Sequence, residues 1–237
     1  MKLKIMFSAL LVANAIFLPR AALAMGGDDP LLFGVDIDKL ERRDTGDEHP
    51  LAWEVSGWAG YDLEKVVLKS SGERVNGETE SAEFQLLYSK AIDPYWNLQT
   101  GIRYDSEPES DKKWAVLGVS GLAPYFIETD ANLYIGEDGQ VGVGVGAEYE
   151  IMLTQRWVLS PNIEFNLFSK ADRSHDTGAG LSDMELGLRL RYEVKREFAP
   201  YIGVNWERKF GQTASFTKQS GGDSTDAQLV MGIKAWF

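Results

Sequence analysis

The chain has 237 residues, a formal net charge of −12 and no cysteine. Nucleic-acid-binding domains are usually basic, so this acidic balance argues against a nucleic-acid partner. The lack of cysteine excludes disulfides and thiolate metal sites, and the length allows one or two domains or a closed barrel.

The first 24 residues have the pattern of a secretory signal peptide. Lys2 and Lys4 precede an apolar stretch over residues 5–18, and Ala22-Leu23-Ala24 provides a cleavage motif. The stretch is shorter than the ~20 residues of a spanning helix, and an uncleaved membrane anchor is the alternative. Cleavage would leave 21 basic and 36 acidic side chains, because the peptide carries three basic residues and no acid, and the net charge would become −15.

Residues 25–50 are predicted to form a short acidic arm in the periplasm. Asp28, Asp29, Asp47 and Glu48 lie in this segment. The segment precedes the first predicted strand, so residues 51–237 are assigned to a second, all-β region.

Period-two alternation dominates residues 51–237. In the segment 183–194, Met184, Leu186 and Leu188 alternate with Asp183, Glu185 and Gly187, and the segments 141–151 and 157–168 repeat the scheme. These runs are about 9–13 residues long, which matches tilted membrane-spanning strands, whereas soluble strands usually have about 5–6 residues. The strand length therefore favours a membrane barrel.

The turns are the second indication of a barrel. Short turns occur at "IDPYW" (92–96), "LAPYF" (122–126), "LTQRW" (153–157) and "FAPYI" (198–202). They alternate with mostly longer polar loops at 105–112, 136–140, 169–182 and 211–224. Bacterial outer-membrane barrels have short periplasmic turns and longer outer loops, so the sequence predicts this location.

The predicted fold is an all-β, antiparallel, up-and-down transmembrane barrel of about 10 strands, and 8 or 12 strands remain open. The strands are predicted at 51–71, 79–91, 95–105, 113–121, 124–136, 140–152, 156–168, 183–195, 199–210 and 225–237. An even number places both termini in the periplasm. The last strand, which alternates apolar residues up to Phe237, is predicted to pair with the first, because an open edge in lipid leaves backbone groups unpaired.

Several long segments resemble the copper resistance protein B family. They are "EFQLLYSKAIDPYWNLQTGIRYD" (83–105), "WAVLGVSGLAPYF" (114–126) and "GLSDMELGLRLRYEVKREFAPYIGVNWERKFG" (180–211), and "DPLLFGVDIDKLE" resembles the segment just before the family's barrel. The resemblance implies an outer-membrane barrel that contributes to copper tolerance in Gram-negative bacteria. It also implies a periplasmic copper oxidase as a candidate partner. The Met- and His-rich segment that often precedes this barrel is absent here.

A copper site is predicted at the periplasmic mouth of the barrel. Glu150 and Met152 alternate onto the inward face of one strand, His49 lies just before the first predicted strand, and Met25 lies on the arm. A thioether, an imidazole and carboxylates together suit Cu(I) or Cu(II), whereas carboxylates alone would favour Ca²⁺ or Mg²⁺. The alternative is that Met152 is an ordinary packed side chain in the lumen. His49 and His175 would then be solvated loop residues on opposite sides of the membrane.

The inward positions of the predicted strands carry more acids than bases. Ten acids, among them Glu83, Glu148 and Glu164, face five bases, among them Arg189 and Lys234. Such charges need partners, so an interior network of ion pairs is one interpretation. The other is an interior that attracts cations, and a filled barrel with a narrow path combines both.

The function predicted from these observations is copper resistance or homeostasis at the outer membrane, by binding copper or assisting its passage. A structural or adhesive barrel with a filled lumen is the alternative. No G-x-S-x-G, H-E-x-x-H, P-loop or zinc spacing occurs, so an enzymatic activity is not expected.

Overall fold

A computed structural model describes residues 30–46, 49–108 and 110–237. The predicted signal peptide and the candidate ligand Met25 lie outside the described residues, so both stay predictions. Of the predicted arm, residues 30–46 and 49–50 can be compared with the structure.

The described residues form one antiparallel sheet whose strands follow the order of the chain. Its segments are β1 (Leu32–Asp44), β2 (Leu51–Gly60), β3 (Glu64–Val75), β4 (Glu78–Asp93), β5 (Trp96–Ser106), β6 (Asp111–Ala123), β7 (Ile127–Gly136), β8 (Val141–Glu148), β9 (Ile151–Met152), β10 (Trp157–Phe168), β11 (Gly180–Tyr192), β12 (Phe198–Lys209) and β13 (Thr225–Trp236). Short 3-10 turns occupy Pro124–Phe126 and Arg173–His175, and helix α1 (Gly211–Gln219) lies between β12 and β13.

The sheet closes into a barrel of twelve strands. β8 and β9 both pair with β10 and are two pieces of one strand, so the thirteen segments make twelve strands. β1 pairs with β2 on one side and with β13 on the other. At this seam the Val35 amide donates to the Phe237 carbonyl at 3.0 Å, and the Phe237 amide donates to the Val35 carbonyl at 2.9 Å. The predicted even number and the closing role of the last strand are confirmed.

The connections distinguish the two ends of the barrel. One end holds the start of β1, the end of β13 and the turns 61–63, 94–95, 124–126, 153–156 and 193–197. The other end holds residues 45–46 and 49–50, 76–77, 107–108 and 110, 137–140, 169–179 and 210–224. Because outer-membrane barrels place their short turns in the periplasm, the first end is the periplasmic mouth and the second is the outer mouth.

The outward face of the barrel is apolar and exposed. Leu68, Ile102, Ile202, Leu229 and Met231 are among its exposed side chains. A contiguous apolar belt of this kind is normal where lipid covers a strand and unusual where water does. In the part of the chain that the structure describes, no helix is long and apolar enough to cross a membrane.

Twelve strands is one of the numbers that the sequence left open, and the favoured number of about ten is too low by two. The single predicted strand 51–71 is in fact β2 and β3, which are joined by the turn 61–63. The segment 25–50, predicted as a periplasmic arm, contains β1, which crosses the barrel from one mouth to the other. The arm prediction is therefore wrong for residues 32–44.

A β-bulge explains why β1 lacks a clear alternation in the sequence. Ile37 pairs with Val55 and Lys39 with Glu54, so Asp38 is an extra residue on the β1 side. A bulge shifts the alternation by one residue. Inward positions change there from the even-numbered residues, such as Asp36, to the odd-numbered residues Lys39 and Glu41.

One predicted turn lies at a different position in the structure. "FAPYI" (198–202) lies at the start of β12, and the turn before it is 193–197. Tyr201, which belongs to this segment, is buried and donates a hydrogen bond inside the lumen.

Candidate functional site

Two cavities follow each other along the lumen of the barrel. The outer cavity has a volume of about 600 Å³ and is lined by Glu83, Arg103 and Asp183, among others. The periplasmic cavity has a volume of about 540 Å³, and Glu128 and Lys234 contribute to its wall. Both volumes can hold many waters, so the barrel encloses a wet interior.

The charge of this interior is acidic, and the excess is concentrated in the outer cavity. Eight acidic and four basic side chains line the outer cavity, and six acidic and five basic side chains line the periplasmic cavity. A cleft lined by one sign of charge, within low-dielectric walls, raises the local concentration of counter-ions. The predicted acid bias is confirmed, and it favours cations at the outer mouth.

The Glu41 cluster, formed by Glu41, Arg43, Arg189, Tyr201 and Asn162, fills one side of the lumen. The Glu41 side chain is fully buried and accepts two hydrogen bonds from Arg189, both at 2.9 Å. Arg43 donates to the same carboxylate at 3.0 Å, and the Tyr201 hydroxyl donates at 2.9 Å. Arg189 also donates to Asn162 at 2.8 Å. Burial of these charges is thus matched by hydrogen bonds, as a buried ion pair requires.

A glycine makes room for the Glu41 cluster. A Cβ atom at Gly232 on β13 would lie 2.7 Å from the Tyr201 hydroxyl and 2.8 Å from the Glu41 Cβ. Contacts this short do not occur between real side chains, so a larger residue would push Tyr201 or Glu41 away. The absence of a side chain at Gly232 therefore lets Tyr201 and Glu41 pack against β13.

A second ionic group, on the wall formed by β4 and β5, lines the outer cavity. Arg103 contacts Glu83 at 2.8 Å and Asp105 at 2.7 Å, and its guanidinium lies 4.6 Å from the centre of the Tyr134 ring. The network of interior ion pairs expected from the sequence is present, and in these two places it coats the wall without closing the cavity.

The Lys39 bridge, formed by Lys39, Glu54 and Glu164, crosses the lumen. The Lys39 ammonium lies 3.0 Å from a carboxylate oxygen of Glu54 and 3.0 Å from one of Glu164. All three residues line both cavities, so the bridge stands at their junction. The sequence prediction missed Lys39, Glu41 and Glu54 as lumen residues. Lys39 and Glu41 were assigned to the arm, and a bulge-shifted alternation over residues 34–43 was the signal available to find them.

The predicted copper ligand His49 lies at the outer mouth. It follows β1, in the connection 45–50, and its Nδ1 atom is 3.6 Å from a carboxylate oxygen of Asp44. The reason for the different location is β1 itself, which carries the chain across the barrel before residue 49. His49 and Met152 are therefore at opposite ends of the barrel and do not form one site.

The predicted ligands Glu150 and Met152 lie at the periplasmic mouth. A carboxylate oxygen of Glu150 contacts the Arg191 guanidinium at 2.5 Å. The Glu150 carboxylate is therefore already paired with a cationic side chain of the protein. Met152 pairs with Val158, an inward and buried residue, and its side chain is 77% exposed. The two residues share the inward face, as predicted, without His49.

A cluster of loop residues stands at the outer mouth around Asp172. Its carboxylate accepts from Lys112 at 2.6 Å and from the Ser174 amide at 3.1 Å, and it lies 2.9 Å from His175 Nδ1. Burial alone would raise the pKa of Asp172, but the hydrogen bonds from Lys112, Ser174 and His175 hold it well below its usual range. His175 and His49 lie at the same mouth, whereas the sequence had predicted opposite sides.

No group of three or more His, Cys, Asp or Glu residues within the described ranges is arranged to hold a metal ion. The candidate site that the geometry supports is therefore the lumen with its two cavities, its acidic lining and the Lys39 bridge between them.

The fold of the chain is similar to that of two solved porin structures. A NanC porin structure superposes with a TM-score of 0.55 at 10% sequence identity and covers 86% of this chain and 99% of its own. A KdgM porin superposes with a TM-score of 0.50 at 11% identity and the same two coverages. At these identities the comparison shows the fold alone, which is that of an outer-membrane barrel.

Sequence relatives are more specific. Copper resistance protein B of Escherichia coli is 41% identical over 210 residues, which are 89% of this chain and 71% of that protein. A copper resistance protein B homolog of Pseudomonas syringae pv. tomato is 42% identical over 200 residues, which are 84% of this chain and 68% of that protein. The family model described as copper resistance protein B precursor matches residues 31–237. The chain therefore belongs to the copper resistance protein B family and is an outer-membrane β-barrel.

Proposed function

We propose that this barrel is a non-enzymatic component of copper resistance that lets copper ions pass along its lumen. The observation that supports the proposal most directly is the wet and acidic interior, with eight acidic against four basic side chains around the outer cavity. Copper is the cargo in this proposal, because the family's name supplies the metal and the lumen supplies a path for cations.

The side chains at the two mouths suit such a cargo. His49 at the outer mouth is half-exposed, and Met152 at the periplasmic mouth is 77% exposed. Imidazole binds copper in either oxidation state, and a thioether favours Cu(I). In the proposal, each mouth offers a weak first contact to copper, and neither holds it for long.

We include a periplasmic copper oxidase in the proposal as the partner that exchanges copper at the periplasmic mouth. The support for this partner is the family membership. Copper leaving the lumen past Met152 would emerge on the side of the membrane where such an oxidase resides.

The test is copper flux into liposomes that contain the purified barrel and an internal copper indicator. Wild type is expected to pass copper faster than liposomes without protein. The variant Glu83→Gln/Asp183→Asn/Glu185→Gln, which removes three carboxylates from the outer cavity, is expected to pass it more slowly. A matched control is Glu78→Gln/Glu80→Gln/Glu137→Gln, which removes three exposed carboxylates near the outer mouth.

Growth of a deletion strain on copper, zinc and silver tests the same proposal in the cell. Sensitivity to copper that wild type restores and the outer-cavity variant does not restore supports it. Unchanged copper tolerance together with altered envelope integrity, and no flux above protein-free liposomes, would instead support the structural or adhesive barrel.

A further inference from the structure

The Lys39 bridge has an unusual position in the lumen. Lys39 and Glu54 pair directly across β1 and β2, whereas Glu164 lies on β10. Three strands, β11, β12 and β13, separate β10 from β1 around the barrel. A bond from β1 to β10 therefore runs through the interior as a chord, not along the wall.

The bulge at Asp38 aims Lys39 at this position. In a regular strand without a bulge, the alternation that points Asp36 inward would point Asp38 inward and Lys39 outward. The Glu41 cluster, two residues further along β1, fills the side of the lumen next to β11 and β12. The residues that line both cavities include all three members of the bridge, so the space that joins the cavities borders the Lys39 ammonium.

The charges at this junction favour a cation. The ionisable side chains shared by the two cavities are four acids, Asp38, Glu54, Asp130 and Glu164, and two lysines, Lys39 and Lys69. Without Lys39 the balance would be four carboxylates against one ammonium. In a narrow bore with low-dielectric walls, such a balance attracts small cations and repels anions.

The carboxylates of the bridge are more exposed than its ammonium. Lys39 has a side-chain exposure of 13%, whereas its partners Glu54 and Glu164 are 45% and 47% exposed. Water in both cavities can hydrate these carboxylates if the ammonium leaves. The four-carbon lysine side chain is flexible and its ammonium is a compact charge, which suits a group that moves aside.

We propose that Lys39 is the gate of the lumen, a tethered cation that closes the junction of the two cavities until a small inorganic cation displaces it. The bridge then sets both the bore and the cation preference of the barrel. The inference concerns any small cation and is independent of the proposed role in copper passage.

The experiment measures ion conductance of the purified barrel in planar bilayers with KCl, without copper. The variant Lys39→Met is expected to raise the single-channel conductance on the order of threefold or more and to shift the reversal potential in a KCl gradient toward that of K⁺, because it removes the plug and one positive charge. The control Lys234→Met removes the same charge from a lysine that lies 3.6 Å from Asp38, lines only the periplasmic cavity and takes no part in the Lys39 bridge. It is expected to keep the conductance close to that of wild type.

A second variant keeps the test decisive if Lys39→Met does not assemble. Lys39→Met/Glu54→Gln/Glu164→Gln leaves no unpaired charge of the bridge, and its assembly is verified by the mobility shift between boiled and unboiled samples. It is expected to conduct more than wild type and to lose most of the added K⁺ preference. Conductance and reversal potential equal to wild type in both variants, or an increase of the same size in Lys234→Met, would overturn the assignment of Lys39 as the gate.

Copper flux separates this inference from the proposed function. If the Lys39 variants change the K⁺ conductance as expected but copper does not pass, the gate is supported and the copper proposal is removed. Copper flux through a barrel whose K⁺ conductance is unchanged in the Lys39 variants would support the copper proposal and remove the gate.

Discussion

Lys39 and Glu41 lie two residues apart on β1 and point into the same lumen, yet their ionic partners have different surroundings. The Glu41 side chain is 0% exposed, whereas Glu54 and Glu164, the partners of Lys39, are 45% and 47% exposed. Breaking a buried ion pair leaves a charge without water, while breaking a hydrated pair does not. Strand β1 therefore carries a rigid anchor, Glu41, and a movable bridge, Lys39.

The largest expected effect is on the anchor. Glu41→Gln removes the charge that faces both Arg43 and Arg189. We expect the free energy of unfolding to fall by about 3–5 kcal/mol, which is the usual cost of removing one partner of a buried pair. Urea unfolding, followed by the mobility difference between folded and unfolded barrel, measures it.

The matched control for this prediction is Glu148→Gln. Glu148 also faces the lumen, but its side chain is 28% exposed and its nearest cation, Lys234, is 3.6 Å away. We expect a loss of about 1 kcal/mol or less. Equal losses in the two variants would show that burial does not distinguish the anchor.

A smaller effect is expected for Tyr201→Phe. This variant removes the hydrogen bond from the Tyr201 hydroxyl to Glu41 at 2.9 Å and leaves the bonds from Arg189 intact. We expect a loss of about 1–2 kcal/mol in the free energy of unfolding, because the acceptor is charged and buried. Tyr125→Phe is the control, since Tyr125 is 83% exposed at a periplasmic turn. A stability of Tyr201→Phe equal to that of Tyr125→Phe would show that this hydrogen bond does not stabilise the Glu41 cluster.

The bridge is expected to contribute less to stability than either anchor contact. Lys39→Met leaves Glu54 and Glu164 in contact with water in the two cavities. We expect the free energy of unfolding to fall by less than about 1 kcal/mol. The same urea titration measures it, and a loss as large as that of Glu41→Gln would identify Lys39 as a structural residue and not as a movable one.

The contrast between the two clusters was hidden in the sequence, whereas the barrel was not. Strands such as β10 and β11 alternate regularly over 12 and 13 residues, and their length alone indicates a membrane barrel. The turns alternate between short and long, so the even strand number and the location of the termini also follow from the sequence.

The lumen site could not be predicted because it depends on β1. The bulge at Asp38 breaks the alternation, and the segment's acidic residues resemble a solvated arm. Once β1 is placed outside the barrel, His49 moves to the wrong mouth, and Lys39 and Glu41 are not considered. A one-residue shift in register changes every inward residue of a strand, so an error in one short segment was enough to misplace the site.

The cluster around Asp172 at the outer mouth extends the comparison to the loops. The folded-state pKa of Asp172 lies below its ordinary value, because Lys112, Ser174 and His175 bond its carboxylate. Stability from such a group is fully present above the ordinary value of about 3.9 and is lost as the pH falls through the folded-state pKa. The contacts of the Asp172 carboxylate are therefore expected to hold at pH 7 and at pH 5 and to be lost in stronger acid.

The smallest expected effect is that of Asp172→Asn, which acts on the loop and not on the barrel. At pH 7 this variant weakens the contacts to Lys112 and His175, at 2.6 and 2.9 Å, so the amides of residues 172–177 should exchange faster with deuterium. The free energy of global unfolding should stay unchanged, because loops open independently of the barrel strands. Asp176→Asn is the control, since its carboxylate has a 3.4 Å contact with Ser220 and Asn tolerates its positive φ of 46°. If Asp172→Asn lowered global stability as Tyr201→Phe does, the outer mouth would belong to the rigid part of the molecule, and the distinction between anchors inside the lumen and ionic groups in the loops would need a different physical basis.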